Sequence, residues 1–114
     1  MNWRYKLLGL PQRPEEFADK AIRKGWSHRV NLSFVNNQLL QSNHPSRREG
    51  RDFETIATIT VRVGKSKKVY SETFSVAYGM DGHQGNTEYQ RENQFREDMK
   101  TRVRELENLF EEAD

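Results

Sequence analysis

At 114 residues the chain has one domain's length, which excludes a two-domain enzyme built round an interdomain cleft. Charged residues make up 32% and hydrophobic ones 33%, yet 19 Lys and Arg nearly cancel 17 Asp and Glu, and 11% of residues are aromatic; this excludes a typical disordered chain and predicts a thin core under a wet surface. The lack of cysteine excludes disulfides, thiol nucleophiles and cysteine-ligated metal centres, and with no apolar run near the roughly 20 residues of a membrane span and no signal-peptide pattern, we expect a single domain over residues 1–114, in the cytoplasm and off the membrane.

Taken in chain order, Trp3, Tyr5 and Leu7 alternate with Arg4, Lys6 and Leu8, the pattern of a short edge strand. Pro14 then suits a first helical turn, Glu15 and Glu16 suit the positive helix start, and Lys20, Arg23 and Lys24 suit the negative end. Phe17, Ala18, Ala21 and Ile22 share a helical stripe and Gly25 can close it, so residues 14–24 are expected to be a helix with Trp26 packing back on it. From Trp26 the period becomes two: Trp26, His28, Val30, Leu32 and Phe34 share one face of a half-buried strand. Asn36 and Asn37 offer a turn, Leu39 and Leu40 extend or cap the strand, and the polar stretch Gln41 to Arg51 reads as a loop.

Phe53, Ala57, Ile59, Val61 and Val63 alternate with Glu54, Thr58, Thr60 and Arg62, and a return strand sets Tyr70, Phe74, Val76 and Tyr78 against Ser71, Thr73, Ser75 and Ala77. Residues 53–78 therefore read as an antiparallel hairpin with a basic tip at Gly64 to Lys68; Glu72, in phase with the buried set, is the misfit. After a glycine-spaced connector, Thr87 and Gln90 have capping-box spacing, and Phe95, Met99, Val103, Leu106, Phe110 and Ala113 make the apolar stripe of a long helix. A strict heptad would put Arg102 on the seam, which favours a globular helix on a sheet over a coiled coil. The fold expected is α+β, order (β)αβββα: an antiparallel sheet of three to four strands, with an N-terminal and a long C-terminal helix on one face and water on the other. Double-stranded-RNA-binding domains share the αβββα order, but they grip phosphates with a lysine-rich start to the last helix; here that start reads Thr87 to Glu92, mostly wrong in sign, so the parallel ends at element order.

Charge is unevenly spread: residues 1–51 carry a net +6 and residues 81–114 a net −5. Three basic groups stand out: Arg47, Arg48 and Arg51 in the loop, Lys65, Lys67 and Lys68 at the hairpin tip, and Arg4 with Lys6 on the first strand. Basic side chains on projections neutralise phosphates, and a Ser/Thr-rich strand face adds neutral donors beside them. The first reading is therefore a non-enzymatic binding protein that engages nucleic acid or a nucleoprotein complex through these eight residues; the same charges could simply keep loops and edges soluble. The alternative is a protein-interaction module, an adaptor or inhibitor, using aromatics and the acidic end of the last helix, with Trp3, Tyr5 and Met80 as candidate exposed anchors; that helix could also form a homodimer. An enzyme comes third. Gly79, Gly82 and Gly85 could present N–H groups to an anion but form no nucleotide-binding fingerprint, Asp81 with His83 could exchange a proton, and His28, His44 and His83 lack metal-ligand spacing, so no cofactor or metal is expected.

Overall fold

The computed structural model describes residues 4–9, 13–64, 69–79 and 87–111, the side chains of 4–9 and 87–89 excepted. Its elements are β1 (Arg4–Gly9), α1 (Pro14–Arg23), β2 (His28–Leu39), a 3-10 helix (Pro45–Glu49), β3 (Phe53–Val63), β4 (Val69–Tyr78) and α2 (Thr87–Glu111). The fold is α+β with the expected order of elements.

Helix α1 forms where its end residues suit the helix dipole: Pro14 opens it, Glu15 and Glu16 occupy the first turn, and Lys20 and Arg23 the last. It closes as a Schellman motif: the N–H of Gly25 donates to the Ile22 carbonyl at 3.0 Å and that of Trp26 to Ala21 at 2.9 Å. Gly25 has φ +64°, a conformation that costs a residue with a Cβ about 1 kcal/mol or more. Trp26, turned back by that closure, covers Gly64 (φ +64°), where a Cβ would lie only 3.2 Å from Trp26 Cγ. The end of the first helix thus fixes the point at which β3 leaves the sheet.

All four strands pair antiparallel in the order β1-β4-β3-β2. Period-two alternation gives the sheet two unlike faces. On one, Thr55, Ala57, Ile59, Val61 and Val63 of β3 and Tyr70, Phe74, Val76 and Tyr78 of β4 are buried beneath the helices. Phe17 of α1 stacks on Tyr70 at 6.1 Å and meets Phe110 of α2 edge-on at 5.9 Å, while Phe95 meets Phe34 of β2 edge-on at 6.4 Å. At roughly 25 cal/mol per Å² of apolar surface, burying Phe17, Phe95, Met99, Leu106 and Phe110 supplies the main drive for docking both helices on this one face. On the other face the described residues of β2, β3 and β4 are exposed or half-buried. No described helix is long and apolar enough to cross a membrane.

Two stretches depart from expectation. Asn36 and Asn37 do not turn the chain: β2 runs on to Leu39, and the register against β3 shifts between Val35, opposite Ile56, and Gln38, opposite Glu54. Asn37 takes φ +52°, a left-handed conformation that asparagine tolerates better than most residues, and the result is a β-bulge. Tertiary bonds hold it there, since the Tyr78 hydroxyl donates to Asn37 Oδ1 and Arg96 Nη2 donates to Asn36 Oδ1. The stretch Gln41 to Arg51 contains a full 3-10 turn, capped by His44, whose Nδ1 accepts from the Ser46 N–H at 3.1 Å. Its start is pinned where the buried Leu40 donates its N–H to the Asp52 carbonyl at 2.9 Å.

Candidate nucleic-acid interface

The charges of this molecule fall into three settings: beneath the helices, in the loop beyond β2, and on the uncovered face of the sheet.

Beneath the helices, the two residues that misfit their sequence patterns answer each other. Glu72 is wholly buried, and Arg102 reaches down from α2 so that its Nε donates to Glu72 Oε2 at 2.9 Å and its Nη2 donates to Oε1. The Tyr70 hydroxyl donates to the same Oε1 at 2.7 Å, and Arg102 Nη1 donates to Glu105 Oε2 at 3.0 Å. The hydrogen bond to Glu72 holds the Arg102 guanidinium well above its ordinary pKa, against the opposing pull of burial. One turn from the start of α2 a second junction forms: Arg96 Nε donates to Glu92 Oε1 at 2.5 Å, the Thr55 hydroxyl donates to the same oxygen at 3.3 Å, and the Thr55 and Tyr78 hydroxyls lie 3.2 Å apart. Both junctions are closed by the chain's own groups. They serve to seat α2 on the sheet.

The loop beyond β2 holds Arg47, Arg48 and Arg51. Arg47 Nε lies 3.7 Å from Asp52 Oδ1, and Arg51 Nη1 donates to Glu49 Oε2 at 2.6 Å, both arginines being half-buried. Arg48 is exposed. Lys65, Lys67 and Lys68 lie outside the described residues, but Val63 and Val69, which flank them, stand at the far end of the sheet from Phe53. The loop and the β3–β4 connection therefore leave from opposite ends of an 11-residue strand, about 35 Å apart. The backbone of Arg4 and Lys6 lies in the sheet, opposite Ser75 and Thr73.

The uncovered face carries the third set. Counted across the strands, its rows read Asn31, Thr60, Ser71 and Ser33, Thr58, Thr73, a lattice of hydroxyls and amides in which the Thr73 hydroxyl is buried and has no hydrogen-bond partner among the described residues. At the β3–β4 end of that lattice Arg29 of β2 stands directly opposite Arg62 of β3, both exposed and neither in an ion pair among the described residues. Like charges placed directly opposite repel, so nothing in the fold itself asks for this pairing. The positions of Arg4 and Lys6 lie in the rows of Ser75 and Thr73, so their register belongs to this face as well. The lone carboxylate among its described residues is Glu54, at the other end beside Gln38.

Sequence reasoning missed Arg29 and Arg62, because each looks like an ordinary outward residue of its own strand. The signal that could have found them is parity: both occupy the outward phase near the same end of two strands expected to be neighbours.

The other candidates disperse. His28 stacks on Phe110 at 5.8 Å with its Nε2 3.9 Å from Glu111 Oε1, whereas His44 caps the 3-10 turn beyond the far end of β2; His83, Asp81, Gly82 and Gly85 lie outside the described residues. Among the described residues no three His, Asp or Glu gather to hold a metal ion. On the acidic side of α2, Glu97 pairs with Lys100 at 3.3 Å and Glu105 with Arg102 at 3.0 Å. Trp3, Met80 and residues 112–114 lie outside the described residues, as does the side chain of Tyr5. Comparison with models of protein families, with curated proteins and with solved structures finds no match.

Proposed function

We propose that the protein is a small non-enzymatic binding protein that engages the phosphate backbone of nucleic acid, free or within a nucleoprotein complex, through the uncovered face of its sheet. The observation that carries this reading is the cross-strand pair Arg29 and Arg62, two exposed guanidinium groups on directly opposite positions with no acid paired to them among the described residues. A phosphate between them would relieve their repulsion and accept from both, and guanidinium is well matched to phosphate oxygens. The Ser, Thr and Asn rows alongside supply neutral donors of the kind that fix a backbone in register without reading bases. The backbone positions of Arg4 and Lys6 fall in the rows of Ser75 and Thr73 on that face. Arg48 is free to contribute from the loop, whereas Arg47 and Arg51 would first have to leave Asp52 and Glu49.

The test is a salt titration of binding to duplex DNA and to RNA of unrelated sequence. Each phosphate contact contributes about −0.9 to the log-log slope on duplex, so R29A/R62A should flatten the slope by roughly 2 and weaken binding equally across sequences. An unchanged slope would overturn the assignment of the site. Undetectable binding to either nucleic acid, together with a salt-tolerant stoichiometric protein partner in the same buffers, would instead favour an adaptor or inhibitor.

A further inference from the structure

We infer that β2 pairs with β2 of a second copy of this chain, antiparallel about a two-fold axis through Leu32, so that two four-stranded sheets join edge to edge. β2 is the longest strand, at 12 residues, and forms one edge of the sheet, with no described strand on its outer side. A strand left in that state presents a row of unpaired N–H and C=O groups, the usual template for adding another strand. β2 also holds both large hydrophobic residues that are exposed among the described ones, Val35 at 55% and Leu39 at 64%. On its helix-facing side Val30, Leu32 and Phe34 are only partly buried, packed against the core from within and open at the rim.

Symmetry limits the registers. A two-fold axis normal to the sheet keeps each face on its own side, so paired positions must share a face and the axis must pass through a residue rather than between two. With the axis at Leu32, Leu32 meets its own copy and Val30 meets Phe34 of the second copy, a wholly apolar row that continues the core across the edge. On the uncovered side Asn31 meets Ser33 of the second copy, and Arg29 meets Val35, whose exposed methyls cover the arginine's aliphatic stem. No charge meets its like. Centring on Asn31 instead would set His28 against Phe34, and centring on Ser33 would push Arg29 into the bulge at Asn37. The bulge also ends the pairing beyond Asn36, as bulges at sheet edges do.

Charge above the sheet agrees with this register. Arg96 of α2, paired with Glu92, lies 4.6 Å over the Phe34 ring and donates to Asn36 at one end of β2, while the exposed Glu111 carboxylate lies 3.9 Å from His28 Nε2 at the other. The two-fold operation reverses the direction of β2, and it turns the Arg96 end of one helix toward the Glu111 end of the other. Opposite charges then face across the seam.

The experiment uses the full chain. Light scattering across a range of concentrations should give twice the 13.5 kDa chain mass, falling toward the monomer on dilution. Val35→Lys alters an exposed side chain and sets a lysine opposite Arg29 at two symmetric places; with folding confirmed by circular dichroism, it should weaken association by about tenfold. Because the chain has no cysteine, L32C should cross-link to its own copy on mild oxidation, whereas T60C on the central strand β3 should not. A monomer at every concentration overturns the inference. So does a dimer that V35K leaves intact and L32C fails to cross-link, a result that would move the interface to another surface such as α2.

Discussion

Beneath the helices, each buried carboxylate has its arginine within hydrogen-bonding reach, Glu72 with Arg102 and Glu92 with Arg96; on the open face Arg29 and Arg62 confront each other with no acid in range among the described residues. The covered charges are therefore explained by the chain itself, as polar locks that set α2 at one position on an otherwise apolar interface. The open charges have no such partner among the described residues. The contrast teaches which charges to remove in order to damage the fold and which to remove in order to test the proposed binding without damaging it.

The largest effect is expected at the deeper lock. Arg102→Met leaves Glu72 as an unpaired charge in the core and should lower stability by about 3–5 kcal/mol in urea or guanidinium unfolding. Replacing both partners, Glu72→Leu with Arg102→Met, should recover most of that loss or exceed the parent, because two well-packed apolar groups need no desolvation offset. A single variant with less than about 1 kcal/mol of loss would show that Arg102 does not answer Glu72. At the shallower lock, Arg96→Ala keeps the Thr55 bond to Glu92 but removes the guanidinium from both Glu92 and Asn36, and about 1–3 kcal/mol is expected. Hydrogen exchange should speed up around Asn36 and Asn37 more than at the β3–β4 hairpin, since Arg96 is one of the two side chains that tie down the bulge.

These locks show how much could be read from the residues in order. The hairpin and both helices were legible because their apolar periods are local, 2 in one case and near 3.6 in the other, and the wet and dry faces of the sheet follow from the same alternation. Glu72 and Arg102 were each visible as a misfit, but linking them requires knowing how α2 lies across β4, which no local pattern carries. Asn36 and Asn37 were misread as a turn because their local preference is real; Tyr78 and Arg96, remote in the chain, override it. The site was less legible still. Residues adjacent in sequence drew notice, the loop arginines and the hairpin lysines, because closeness in the chain is the one kind of clustering a sequence displays. Arg29 and Arg62 become neighbours only through the register that also sets Val30 against Val61 and Leu32 against Ile59.

The smallest effect on stability is expected at that pair. Arg62→Gln removes one member of an exposed cross-strand like-charge pair while keeping a side chain of similar length, so stability should stay within about 0.5 kcal/mol of the parent and can rise by a few tenths as the repulsion with Arg29 disappears. The same change should flatten the salt dependence of duplex binding by about 1, the loss of a single phosphate contact. Here the two measurements must separate: stability unchanged and binding weakened. If Arg62→Gln instead unfolded the protein as Arg102→Met is expected to, the open face would be bearing structural charge like the covered one, and the division between the two faces would fail. If it altered neither stability nor binding, the fold would stand and the phosphate contacts would have to be sought elsewhere, first at Arg48 and the lysines beyond Gly64.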